Sequence, residues 1–223
     1  MTTNNTQTNS FENRCRVVLV TPPLSDAAKL TTQLEQALSG GDVASVILDT
    51  TNADEAQFQA FAEKVVPLIQ KAGAAALILN DTRIAGRVGA DGLHIEGNQE
   101  TVAEAIERYT PKLIVGTGNL RDRHSCLAIG ELQPDFVFFG KIGADNKPDA
   151  HPRNLSLAEW WAQMVEIPAI VQAGSDMQSI IPAAETGAEF VALGACVFQA
   201  DNPAEAVAEA NRLLDENAPQ FES

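Results

Sequence analysis

The chain has 223 residues, 45% of them apolar, which suffices for one sizeable core and is close to the length of one β/α barrel. Its formal net charge of −15 and pI near 4.5 give a surface that repels phosphate backbones and anionic lipids, so neither nucleic acid nor a membrane is an expected partner. No apolar run approaches the roughly 20 residues needed to cross a bilayer.

Residues 1–13 are rich in Thr and Asn and lack the basic and apolar regions of a secretory signal. They read as a disordered tail, and so does the end from Asn217 (217–223). Between them, in 14–216, short apolar runs alternate with amphipathic stretches. The runs are Arg16–Thr21, Val43–Asp49, Ala75–Leu79, Gly92–Ile95, Leu113–Thr117, Phe136–Phe139, Ala169–Ala173 and Phe190–Leu193. Continuous runs rich in Val, Ile, Leu and Phe are the pattern of strands buried on both faces. Helical spacing follows in Glu55–Lys71, where Phe58, Phe61, Ala62, Val65 and Leu68 share a face. It recurs in Thr101–Arg108, Arg121–Glu131, Leu155–Met164, Met177–Thr186 and Pro203–Leu214. Ser25 and Asp26 precede a first helix. Ser156 with Glu159 forms a capping-box pattern, and Asp176 and Asp201/Asn202 stand before two more starts. About eight strands alternating with about eight helices predict an α/β fold, a single (β/α)8 TIM barrel. An open doubly wound sheet is the alternative. No Gly-rich dinucleotide fingerprint follows the first strand, which weakens it. The three cysteines, Cys15, Cys126 and Cys196, are odd in number and far apart. That argues against a disulfide framework or zinc knuckle and suits a reducing cytoplasm.

In such a barrel, function sits on the loops after the strands. Gln172-Ala173-Gly174-Ser175-Asp176 and Leu193-Gly194-Ala195-Cys196 both put small residues where a helix begins. Backbone N–H groups and the helix dipole there favour an anion, so Gly174, Ser175, Gly194 and Ala195 are candidates for a phosphate. The plainer reading is that the glycines only permit tight turns, and that Cys196 is a small buried residue. Asn80 and Asp81 end the third strand. A carboxylate at that place can hold Mg²⁺, or it can cap the next helix. The loop 140–153 after the sixth strand carries Lys141, Lys147 and Arg153 on an otherwise acidic chain. It could close over an anionic ligand, or simply face water.

Taken in order, several pieces resemble the thiamine phosphate synthase family, which also includes the TenI-type thiazole tautomerases. They are Leu19-Val20-Thr21, Asn80-Asp81, Gly89-Ala90-Asp91-Gly92-Leu93-His94, Val115-Gly116-Thr117, Lys147-Pro148-Asp149-Ala150 and the stretch from Gly187 to Phe198. The resemblance implies condensation of a pyrimidine pyrophosphate with a thiazole phosphate, with Mg²⁺ as cofactor and pyrophosphate released. It implies Asp81 on Mg²⁺, Asn80 on the pyrimidine or its pyrophosphate, Thr117 at the substrate, and Lys147 as the catalytic cation on the leaving group. It also makes a homo-oligomer an expectation.

Departures accompany it. The family's Gln-Leu-Arg-Glu-Lys segment is here Ile47-Leu48-Asp49-Thr50-Thr51, so three substrate-holding side chains become Ile47, Asp49 and Thr51. A second metal-binding Asp aligns with Gln99, and a Ser with Gly118. The Thr-rich part of the sixth loop is Ala144-Asp145-Asn146, and the first of two paired glycines is Ala173. An Asp where an Arg should hold an anion repels that anion. Two rivals therefore stand beside the synthase. One is a non-catalytic or repurposed member that binds a phosphorylated thiamine-related ligand. The other is a different phosphate-ligand barrel enzyme. The tautomerase's catalytic groups find no match. Among other residues, His94 is expected to make a structural hydrogen bond, and His124 and His151 to lie at the surface. One ring of Trp160-Trp161 is expected in the core and the other at a subunit contact.

Overall fold

The computed structural model describes residues 13–144 and 146–221. Strands β1 (Arg16–Val20), β2 (Ser45–Leu48), β3 (Ala75–Leu79), β4 (Gly92–Ile95), β5 (Ile114–Gly118), β6 (Phe136–Phe139), β7 (Ala169–Gln172) and β8 (Phe190–Leu193) each pair in parallel with the next. β8 returns to β1, with Val17 opposite Val191, and closes the barrel. The predicted single (β/α)8 barrel is the fold.

Closure explains why the strands are apolar on both faces. Successive side chains leave a strand in opposite directions. Val18 and Val20 of β1 enter the barrel interior, while Val17 and Leu19 pack outward under the helices. The outer layer is made by α1 (Ala27–Ser39), α2 (Glu55–Lys71), α3 (Thr82–Val88), α4 (Gln99–Tyr109), α5 (Arg123–Gly130), α6 (Pro152–Met164), α7 (Ile180–Ala184), α8 (Ala195–Phe198) and α9 (Pro203–Asn217). A single 3-10 turn, Met177–Ser179, leads into α7. Side chains of Asp26, Asp54, Asn98, Asp122 and Asn202 accept backbone N–H groups at five of these starts. Each satisfies donors that a helix leaves open at its first turn.

One predicted start is corrected. Ser156 lies inside α6, which begins at Pro152. His151 is the cap, its Nδ1 accepting from the Arg153 N–H at 3.2 Å. Proline at the first position has no N–H to satisfy and a φ suited to a helix, so it takes precedence over the capping-box pattern downstream. The other end is also longer than expected. α9 runs to Asn217, Gln220 bridges Arg14, and Phe221 N–H donates to Asn13 O at 2.7 Å. The chain therefore stays paired beyond the boundary read at 217. The reading of residues 1–12, 222 and 223 as tails lies outside the described residues.

The barrel interior is filled by pairing small with large residues across neighbouring strands. Gly116 and Gly118 of β5 stand opposite Phe136 and Phe138 of β6. A Cβ on Gly116 would strike the Phe136 ring, and one on Gly118 would lie 2.9 Å from Phe138 Cβ. Ile47, Leu77, Leu79 and Ile170 complete the interior, with Ile142 joining from the loop after β6.

Candidate functional site at the barrel mouth

The carboxyl ends of the strands and the loops that follow form the mouth. At the end of β2, Ile47 is fully buried in the barrel interior and Asp49 is 2% exposed. The Asp49 N–H donates to Thr21 Oγ1 at 3.0 Å, and its Oδ1 accepts from Thr51 N at 2.8 Å. Asp49 thus holds its own turn, an Asx-type arrangement, and the strand-two end offers no cation.

Asn80, at φ 57°, accepts from Glu96 N–H through Oδ1 at 2.7 Å, and its own N–H donates to His94 O. Its side chain therefore ties the β3 end to the β4 end. Asp81 Oδ1 accepts from Arg83 N at 3.0 Å and Ile84 N at 2.9 Å, capping α3. Thr117 is 1% exposed and donates to Ile95 O at 2.7 Å. No group of three or more His, Cys, Asp or Glu among the described residues could hold a metal ion. With Gln99 replacing a carboxylate and Asp81 engaged in capping, the donors present do not build a Mg²⁺ site by themselves.

His94 departs from its expected role. It is fully buried, stacked on Phe136 at 5.8 Å between centroids and edge-on to Phe138 at 5.3 Å. Neither ring nitrogen has a hydrogen-bond partner among the described residues. The apolar rings of β6 pack against it. Glu96 Oε1 lies 3.8 Å from Nε2, beyond hydrogen-bond length. Burial pushes the Glu96 carboxyl up, but His94, the Ile142 N–H and Lys141 together hold it below the usual carboxylate value.

The two candidate phosphate loops are not equivalent. Gly174 N–H donates to Ser179 Oγ at 2.8 Å. Ser175 N–H donates to Lys147 O at 2.7 Å and Asp176 N–H to Pro148 O at 3.1 Å. The loop after β6 is docked on these donors, and a Cβ on Gly174 would strike Pro148 O. Gly194 and Ala195 instead border a pocket of about 290 Å³ with Thr21, Lys29, Gln33 and Asn146. Lys147 borders a second pocket of about 540 Å³ with Lys141, Arg121, Arg153 and Gln172. Asn80 borders a third, of about 340 Å³, with Glu96 and Arg108. Gly174 and Ser175 line none of the three. Asp145 lies outside the described residues.

Lys29 and Arg121 were missed from the sequence. A signal existed for Lys29: barrel closure puts the loop after β1 beside the loop after β8, so a cation one turn into α1 faces Gly194. Trp161 is the core ring, donating through Nε1 to Ile167 O at 2.8 Å, while Trp160 lies under the Arg123 guanidinium at 5.0 Å. Cys15, Cys126 and Cys196 are all buried free thiols.

The model of the family described as thiamine monophosphate synthase matches residues 17–197. The chain belongs to that family. It is 33% identical over 206 residues to the thiamine-phosphate synthase of Rhodospirillum centenum, covering 90% of this chain and 98% of that one. It is 32% identical over 209 residues to that of Hyphomonas neptunium, covering 91% and 95%. Among solved structures, a thiamine phosphate pyrophosphorylase from Pyrococcus furiosus superposes with a TM-score of 0.77 at 19% identity, over 93% of this chain and 98% of that one. A 3-hexulose-6-phosphate synthase superposes at 0.72 with 18% identity, over 88% and 99%. At such identities the last two show the shared barrel. The family and its curated members place the chain among transferases of thiamine biosynthesis, with a thiamine phosphate synthase-like function. Among the described residues no helix is long and apolar enough to cross a membrane.

Proposed function

We propose that the chain binds a phosphorylated thiamine precursor at the barrel mouth and condenses pyrimidine pyrophosphate with thiazole phosphate slowly. The observation that carries this reading is Asp49. It occupies the place where the family resemblance puts an Arg, and its Oδ1 is turned onto Thr51 N–H. A pyrophosphate arriving there would meet a carboxylate instead of a guanidinium, with Thr51 neutral in place of a Lys. One charge pair near 4 Å is worth up to about 4 kcal/mol at an effective dielectric of 20. Loss of that order slows a reaction about a thousandfold.

In this reading Gly194 and Ala195, with Lys29, hold the thiazole phosphate. Asn80 orients the pyrimidine, and Lys147 is the cation offered to the leaving pyrophosphate. Gly174 and Ser175 act through the loop they hold rather than by donating to the phosphate. Thr117 braces β4 against β5 beneath the ligand. Asp81 is the remaining carboxylate at the position the resemblance gives to Mg²⁺. A homo-oligomer with the partly buried Trp160 at its contact remains within the reading, as does a cytoplasmic location, which accords with three buried free thiols.

A second reading, a binding member without catalysis, is favoured by the capping role of the Asp81 carboxylate. A coupled assay separates the two. It uses purified full-length protein, both substrates and Mg²⁺, with thiamine phosphate as the readout. Slow accumulation supports the first reading, and none over hours supports the second. Turnover in the range of about 1–10³ s⁻¹ typical of enzymes contradicts both.

A further inference from the structure

We propose that the amino end of the barrel, opposite the mouth, is a second ligand site that takes a small aromatic cation, one ring carrying an amine or amidine. The site shares no residue with the three mouth pockets and does not require the chain to be a synthase.

A barrel of this kind fills its interior with layers of side chains. Here the filling stops short at the amino end and leaves a well of about 310 Å³. Val18, Leu77, Phe136 and Ile170 form its depth, each no more than 5% exposed. Ile114, 38% exposed, and the partly buried Phe190 carry the apolar wall to the rim. The opening has a cause in the sequence. Ala44 and Ser45 at the start of β2 and Ala75 at the start of β3 bring only small side chains to this level. The long side chain of Arg16 on β1 is turned onto Asp42, outside the lining, by bonds of 2.8 and 2.7 Å. Nothing among these residues closes the floor.

Size and charge together choose the ligand. Water in such a well meets hydrocarbon on most sides and finds few partners, so an apolar group displaces it favourably. An apolar cavity of about 150 Å³ holds one benzene, so this well has room for a ring and a substituent. The rings of Phe136 and Phe190 offer stacked or edge-on contact to a third. At the rim, Asp42 already neutralises Arg16. Asp135 has no such partner. Its Oδ2 accepts from Val115 N–H at 2.7 Å, but the carboxylate makes no ion pair among the described residues. The Ser45 hydroxyl makes no hydrogen bond among them either. An apolar well edged by an uncompensated carboxylate, on a chain with a net charge of −15, attracts a cation and repels an anion of the same shape. A ligand N–H also gains charge-assisted hydrogen bonding at Asp135.

The test is a methyl NMR titration of the full chain with benzamidine, and separately with benzoate, which has the same ring and the opposite charge. Neither is a substrate of the synthase reaction, so the outcome is independent of catalysis. Benzamidine should bind saturably, with the largest shifts at the methyls of Val18, Leu77, Ile114 and Ile170. Val20 and Leu79, farther along β1 and β3 toward the mouth, should change little. Benzoate should bind about tenfold more weakly or not at all. Asp135→Asn keeps an acceptor for Val115 N–H and should weaken benzamidine about three- to fivefold. Ala75→Leu fills the well and should weaken it about tenfold or more. Thermal unfolding checks that each variant keeps the barrel, and if Ala75→Leu does not, Asp135→Asn decides. Absence of saturable shifts at the four amino-end methyls, equal affinity for benzoate, or unchanged affinity in either folded variant would each overturn the proposal.

Discussion

Gly118 and Phe138 face each other across β5 and β6, and a Cβ on Gly118 would lie 2.9 Å from Phe138 Cβ and 3.0 Å from His94 Cε1. The glycine that replaces the family's Ser is thus the partner of a large ring in the barrel interior. Gly118→Ser should destabilise the protein by about 1–3 kcal/mol through overpacking. Phe138→Ala alone should cost about 3–5 kcal/mol as a cavity. Combined, the two should destabilise less than the sum of the single changes. Urea unfolding of the three variants measures this coupling, and strict additivity would show that the residues do not share the space.

The same relationship marks what the sequence could and could not convey. The eight strands were legible because a closed barrel buries both faces of each strand, so their apolar runs are continuous. The capping roles of Asp26 and Asn202 were legible because a side-chain oxygen before a helix has a local partner. Contacts between distant loops had no local signal. The donors at Ser175 and Asp176 read as a phosphate cradle, and only the folded loop after β6 shows Lys147 O and Pro148 O on them. His94 looked like a hydrogen-bonding residue because its neighbours in space, Phe136 and Phe138, lie more than 40 positions away in the chain.

A change at Gly174 should therefore act through that loop. Gly174→Asp places bulk against Pro148 O and Asp149 and a negative charge at the mouth. Titration with thiazole phosphate should show binding lost. Limited proteolysis should show faster cleavage in 141–150 than in the unmodified chain. Unchanged binding together with an unchanged digestion pattern would refute the docking role.

Mg²⁺ should bind weakly or undetectably to the free chain, since Asp81 caps α3 and position 99 is an amide. Added pyrophosphate should make binding measurable by supplying phosphate oxygens. Tight Mg²⁺ binding without any ligand would mean that another carboxylate, such as Glu96 or Glu100, has taken over.

Glu96 links the mouth to pH. Its folded value is depressed relative to an unfolded carboxyl. The stability it contributes is fully present above the unfolded value, about 4.3, and is lost as pH falls through the lower folded value. Unfolding free energy measured from pH 7 to pH 3 should fall less steeply at the acid end in Glu96→Gln. Superimposable pH profiles for the two proteins would show that the carboxylate is not held by His94, Ile142 and Lys141.

The most direct measurement for the central claim is the rate of thiamine phosphate formation by the unmodified chain beside a variant carrying Ile47→Gln, Asp49→Arg, Thr51→Lys and Gln99→Asp. Both are assayed with the two substrates and Mg²⁺. The lost charges account for a deficit of up to about a thousandfold, so the unmodified chain should be slow and the variant measurably faster. Robust turnover by the unmodified chain, unimproved in the variant, would contradict the account and place the needed positive charge on Lys141, Lys147 or Arg153.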